Sequence, residues 1–181
     1  MPQNKTQIEG LFVFQPKKII DERGYFFESF NLKKFQETIG MEVQFVQDNE
    51  SVSQKGVLRG LHFQYPPMAQ GKLVRVTKGA VLDVAVDLRK NSPTYGQWHS
   101  EILSEENGLQ FWIPEGFAHG FLALEDDSKF LYKCTNYYAP ETESTIKWND
   151  ATLGIDWGND TFLVSSKDQQ GENFASFVTP F

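Results

Sequence analysis

The sequence predicts an all-β fold of jelly-roll architecture, a small barrel with a few short peripheral helices, on three observations. Aromatic residues make up 14% of the 181 residues, 16 of them Phe, and with frequent Val and Thr they suit a pleated, half-buried surface. Apolar stretches are short and closely spaced rather than long and helical. Turn-forming residues such as Lys78-Gly79, Asn91-Ser92-Pro93, Asn107-Gly108, Pro114-Glu115-Gly116 and Glu125-Asp126-Asp127 fall between them, which fits a sandwich or barrel better than βαβ units. With no repeat and no long Pro/Gly/Ser linker, one domain over 1–181 is expected.

In chain order, strands are expected at Leu11 to Phe14, Gly24 to Phe30, Gln44 to Ser51, Leu73 to Lys78, Val81 to Leu88, Trp98 to Leu103, Gln110 to Ile113, Gly120 to Leu124, Phe130 to Thr135 and Thr145 to Trp148. A helix is expected from Leu32 to Ile39, covering the outside of the barrel. Asn31 would cap it, Leu32, Phe35 and Ile39 form its apolar stripe, and Gly40 ends it. From Gly79 to Leu88, Ala80, Leu82, Val84, Val86 and Leu88 alternate with Val81, Asp83, Ala85 and Asp87. Two carboxylates therefore share a face, either as structural hydrogen-bonding groups or, for Asp83, pointing into a polar cavity.

Composition excludes several function classes. A net charge of -7 argues against nucleic-acid binding, which draws on clustered Lys and Arg. No apolar run approaches the roughly 20 residues of a membrane span, and Met1 to Gly10 lacks the layout of a signal peptide; the cytoplasm is expected. The single Cys134 rules out an intrachain disulfide framework and a multi-Cys zinc site.

Chemistry is sought first among three histidines. His99 follows Trp98 in an alternating strand and reads as structural. Gly60-Leu61-His62-Phe63-Gln64 and Pro114-Glu115-Gly116-Phe117-Ala118-His119 resemble the two motifs that face each other inside cupin barrels. Metal-binding cupins carry His-any-His and a following Glu in the first motif. Here Gln64 takes the second His position and Met68 to Lys72 supplies no carboxylate. Two imidazoles and an amide fall short of the usual ligand set, so no metal is expected. A neutral His in such a barrel is suited to proton transfer near neutral pH, and His62 is the leading base.

Gln47-Asp48-Asn49-Glu50-Ser51-Val52-Ser53 and Gly56-Val57-Leu58-Arg59-Gly60-Leu61-His62-Phe63-Gln64 together resemble the dTDP-4-dehydrorhamnose 3,5-epimerase family. Asp21 to Glu28, Gln70 to Val74, Val86 to Arg89, Ser92 to Gly96, Trp112 to Leu122, Leu131 to Cys134, Tyr137 to Glu143, Trp148 to Asp150 and Ile155 to Trp157 continue the likeness in order. The last dozen residues match poorly.

The resemblance implies a jelly-roll homodimer without cofactor that acts on a dTDP-linked 4-keto-6-deoxyglucose. It implies His62 as base and Tyr132 as proton donor on the opposite face. Asp168, in the stretch Ser166-Lys167-Asp168, would orient the base, with Asp83 as its rival for that role. Lys72 would stand near the sugar ketone, and Arg23 and Arg59 would contact the diphosphate. Glu28, Gln47, Asn49, Glu143 and Lys167 would supply further substrate contacts, Phe26 and Tyr138 flat faces for the thymine, and His119 a contact to sugar or phosphate. The competing classes are a metal-dependent cupin, a non-catalytic sugar-binding cupin, and an epimerase that inverts C3 or C5 alone.

Overall fold

The computed structural model describes residues 3–158 and 161–181, with side chains from residue 6 onward. Its strands in chain order are β1 (Gln3–Lys5), β2 (Phe12–Phe14), β3 (Ile19–Asp21), β4 (Gly24–Phe26), β5 (Gln47–Ser53), β6 (Val57–Gln64) and β7 (Lys72–Lys78). They continue with β8 (Ala80–Asp87), β9 (Trp98–Ser104), β10 (Gln110–Ile113), β11 (Phe117–Ala123), β12 (Ser128–Cys134), β13 (Glu143–Thr145) and β14 (Leu163–Val164). The α-helices are α1 (Leu32–Ile39) and α2 (Ser166–Gln169). None of the described helices is long and apolar enough to cross a membrane.

The strands form one sheet in the order β1-β2-β10-β7-β12-β5 and another in the order β13-β6-β11-β8-β9, with β14 added parallel to β6. β3 and β4 make a separate hairpin. Facing residues of both sheets, among them Val74, Val76, Phe111 and Phe130 from the first and Val81, Ala85, Leu103 and Phe121 from the second, pack into one core. The outer face of the second sheet is covered by the chain after β13, through Ile146, Leu153, Trp157 and Phe174. Alternation along each strand supplies both layers.

Helix α1 forms where its caps require. The Asn31 side chain accepts the Lys34 N–H, and Gly40 turns the chain out at φ 74°, a left-handed conformation that favours glycine. The stripe is narrower than expected, because Leu32 is exposed and Phe35 alone is buried. Phe35 lies against Phe14, Phe30, Phe45 and Trp112, with ring centroids 5.1 to 5.9 Å apart. That cluster seals the outer face of the first sheet.

Three expected strands are corrected. The one from Gly24 ends at Phe26, because Phe30 leaves the hairpin to join the Phe35 cluster. The one at Thr145 to Trp148 is instead Glu143–Thr145, after which Ile146 bridges to Glu172. β5 runs two residues beyond the expected Ser51, still paired with β12 through Ser53. β6, central to the second sheet, was not expected as a strand. Leu58, Gly60, Leu61, Phe63 and Gln64 are all buried, so alternation is lost. Gly60 also lies so close to β11 that a Cβ there would meet the Gly120 Cα at 2.5 Å.

Phe35→Ala is expected to destabilise the protein by about 3–5 kcal/mol and Asn31→Ala by about 1 kcal/mol in chemical denaturation. A Phe35→Ala loss no larger than that of the cap would show that the aromatic cluster does not anchor the helix.

Candidate active site

A cavity of about 210 Å³ opens at one end of the barrel, lined by Gln47, Asn49, His62, Phe63, Gln64, Gln70, Lys72, Tyr132, Tyr138 and Glu143. The pairing register explains the convergence. Tyr132 lies opposite Asn49 and Cys134 opposite Lys72 in the first sheet, while His62 lies opposite His119 in the second. Tyr132 and His62 therefore enter the same cavity from different sheets.

Asp168 stands behind His62. Its carboxylate Oδ1 is 2.6 Å from His62 Nε2, and its Oδ2 accepts the Gly60 N–H at 3.4 Å. Asp168 is 3% exposed, so it is not a solvated turn residue. It sits in α2, where the Ser165 hydroxyl accepts the Asp168 N–H at 3.1 Å and caps the helix. Burial pushes the Asp168 carboxyl up, but the hydrogen bond and charge of His62 and the Gly60 N–H outweigh it, leaving it below the usual carboxylate range. With Nε2 occupied by Asp168, the second ring nitrogen, Nδ1, is left to act as acceptor.

Asp83, the rival orienter, is committed elsewhere. It is fully buried and both its oxygens lie 2.9 to 3.0 Å from His119 Nε2; burial pushes its pKa up against the pull of His119 and Lys72. Asp87, on the same face, is a structural group that accepts from Arg89, Ser92 and Thr94. His99 stacks edge-on against Phe111 at 5.6 Å.

Burial pushes the Lys72 ammonium pKa down, against opposing attraction from Cys134, Glu143 and Asp83. Among the described residues Lys72 makes no hydrogen bond or ion pair, so its donors remain available to a ligand. Burial pushes the Tyr132 phenol up, with Arg59 pulling against it, so at neutral pH the hydroxyl carries its proton. Glu143 accepts from Tyr138 Oη at 2.9 Å and from Lys167 Nζ. Burial raises its pKa, but these two partners outweigh that and hold it low. Arg59 lies beside the cavity, bonded to the Ser53 hydroxyl and the Val52 carbonyl.

Four expected contacts are not brought to the cavity by the single chain. Arg23 pairs with Asp21 on the exposed β3–β4 hairpin, Phe26 is 71% exposed there, and Glu28 is held by Asn31 and Lys34. His119 faces Asp83 rather than the cavity lining. Gln70 and Ser165 were missed. Gln70 stood inside the motif that held Lys72, and Ser165 could have been found as a helix cap three residues before an acidic residue. No three His, Cys, Asp or Glu side chains among the described residues are placed to hold a metal.

A base and an acid from opposite walls, with an unpaired ammonium between the sheets, can remove a proton from one face of a carbon and return one to the other. The cation can meanwhile stabilise an enolate oxygen. Comparison with known proteins points to the same chemistry. The family model described as dTDP-4-dehydrorhamnose 3,5-epimerase matches residues 5–176.

The chain belongs to the dTDP-4-dehydrorhamnose 3,5-epimerase family.

A curated relative of that name from Salmonella typhimurium strain LT2 is 59% identical over 153 residues, covering 84% of each chain. A crystal structure of dTDP-6-deoxy-D-glucose-3,5-epimerase from Legionella pneumophila, in complex with dTDP-4-keto-L-rhamnose, matches with a TM-score of 0.94 at 50% identity, covering 98% of this chain and 94% of that one. A 3′-monoepimerase from Streptomyces bikiniensis in complex with dTDP-quinovose matches at 0.89 and 35%, covering 94% and 87%. The proteins this chain is similar to thus include enzymes named for one centre and for two.

A carboxylate whose pKa is depressed by folding contributes stability that is present above its unfolded pKa and lost as pH falls through the folded value. Wild type is therefore expected to exceed Asp168→Asn in stability near neutral pH, with the difference shrinking below about pH 4. Denaturation midpoints measured across that range check it; a constant difference would show that the carboxylate charge contributes nothing.

Proposed function

We propose that the chain inverts C3 and C5 of dTDP-4-dehydro-6-deoxy-D-glucose, giving dTDP-4-dehydro-L-rhamnose. The observation that carries this reading is the placement of the His62–Asp168 pair and Tyr132 on opposite walls of one cavity. The C4 ketone acidifies the hydrogens on C3 and C5, because either carbanion delocalises onto the carbonyl oxygen. His62 removes the proton and Asp168 stabilises the resulting imidazolium, as in other base-orienter pairs. Lys72 stabilises the enolate oxygen, a role for which loss of one donor typically costs about 10²–10³ in rate. Tyr132 returns a proton to the opposite face.

Sugar and base contacts fall to Asn49, Tyr138, Glu143 and Lys167, and the diphosphate to Arg59, whose guanidinium suits phosphate oxygens. The exposed Ile20 and Phe26 of the β3–β4 hairpin, 77% and 71% accessible, support a homodimer in which a second copy covers this apolar ribbon. Such a dimer offers Arg23, Phe26 and Glu28 a cavity they do not reach within one chain. A nucleotide-linked substrate and a single free, buried Cys134 support a cytoplasmic setting.

A second reading, inversion at one centre, is favoured by the likeness to the Streptomyces bikiniensis monoepimerase. Turnover in deuterated water, followed by NMR, separates the two. Label at both C3 and C5, abolished in His62→Ala, is expected; label at C3 alone with C5 configuration retained would make the chain a 3-epimerase. Tyr132→Phe is expected to lower formation of the doubly inverted product by about 10²-fold or more while C3 exchange persists. Chelator treatment is expected to leave the rate unchanged, and loss restored by added iron or nickel would return the metal-dependent reading.

A further inference from the structure

Beyond β12 the chain crosses the mouth of the cavity without a strand partner, and four backbone groups in succession are bound by glutamine side chains instead. The Asn136 carbonyl accepts from Gln70 Nε2 at 2.8 Å and the Tyr137 carbonyl from Gln64 Nε2 at 3.1 Å. The Tyr138 N–H donates to Gln47 Oε1 and the Ala139 N–H to Gln64 Oε1, both at 3.0 Å. The three glutamines come from β5, from the end of β6 and from the loop before β7, and all three line the cavity.

The Gln64 amide has little capacity left for a ligand, whereas Gln70 makes one of these bonds and keeps its oxygen and a second N–H. Gln64 is 4% exposed, and its amide nitrogen also donates to the Met68 carbonyl at 2.6 Å. The Gln47 amide nitrogen donates to Asn49 Oδ1 at 3.1 Å. Gln64 occupies the place where the first motif lacks a second histidine, and its amide does what one neutral imidazole cannot: it donates two hydrogen bonds, to the Met68 and Tyr137 carbonyls, while accepting a third from the Ala139 N–H. Buried polar groups satisfied in this way fix one arrangement.

We infer that Gln64 and Gln70 are positioning residues for substrate binding. They lock the Asn136–Ala139 backbone so that Tyr138, its hydroxyl on Glu143, stands as a preset wall of the cavity. Ordering this segment in the free protein removes a cost that binding would otherwise carry. Gln47, which lines the cavity where substrate is expected, also holds the Tyr138 N–H. The inference rests on the reading of the cavity as a dTDP-sugar site.

The test is calorimetric binding of dTDP to the full chain, with turnover of the 4-keto sugar measured in parallel. Gln64→Glu keeps the acceptor for Ala139 but sets a carboxylate against the Met68 and Tyr137 carbonyls; Gln70→Ala removes only the Asn136 bond. In each folded variant the Kd for dTDP is expected to rise about tenfold, the scale of one lost buried hydrogen bond, with kcat at saturation within about threefold. In a Tyr138→Ala background, Gln70→Ala is expected to add less than about twofold, because coupled residues do not act additively.

An unchanged Kd in Gln70→Ala, a fall in kcat with Kd unchanged, or full additivity on Tyr138→Ala would overturn the inference. Should Gln64→Glu fail to fold, Gln70→Ala and the double variant decide it alone. Wild-type chain that binds dTDP yet leaves the 4-keto sugar untouched would overturn the proposed reaction, while the Kd series would still judge the frame.

Discussion

The contact on which the site depends is the 2.6 Å hydrogen bond between His62 and Asp168, which spans 106 positions of the chain. It can form only because the late segment is laid along β6: β14 pairs parallel to it, and Ser165 then caps the short helix that presents the carboxylate. After that helix the chain passes over the backbone of Ile146 and Lys147 so closely that a Cβ on Gly171 would meet the Lys147 nitrogen at 2.8 Å. A side chain there would push the strap, and Asp168 with it, away from the base. The packing of Phe174 and Phe177 into the outer layer of the second sheet thus helps hold Asp168 against His62 as well as stabilising the fold.

The barrel separates two requirements. Its interior holds the stacked Phe121 and Phe130, 4.2 Å apart, around one buried polar pair, His119 and Asp83, that satisfies itself. Its open end collects Lys72, Tyr132, His62 and Glu143, where ionisable groups keep access to a charged ligand. In the proposed function, an acidic chain binds a dianionic nucleotide through a few locally placed cations: Lys72 unpaired in the cavity, Arg59 beside it, Lys167 on Glu143. Net charge governs long-range steering, whereas a local fork of donors governs recognition.

Much of this was legible in the residues. The strands at β8, β9 and β10 followed from short strand-like runs between turn signals, and α1 from Asn31 and Gly40. β6 was hidden because burial on both faces and Gly60 erased the alternating pattern, although its motif marked His62 as chemical. The choice between Asp168 and Asp83 needed three dimensions: both are acidic residues in plausible places, and only register and the strap show that Asp83 faces His119. Arg23, Phe26 and Glu28 were named from resemblance, and within one chain they stay on or near a solvent-facing hairpin. Gln64 was visible as a broken metal motif, while its grip on the Tyr137 and Ala139 backbone was not, since side-chain bonds to a loop leave no periodic trace.

The central claim is that Asp168 fixes His62 with Nε2 toward the carboxylate and Nδ1 as the free basic nitrogen. Nitrogen-15 NMR of labelled histidine at alkaline pH, with His62 assigned by His62→Ala, measures this directly. The account predicts a neutral ring protonated on Nε2, with that preference lost in Asp168→Asn. A ring protonated on Nδ1 in the wild-type protein, or a tautomer unaffected by the Asp168 change, would contradict it.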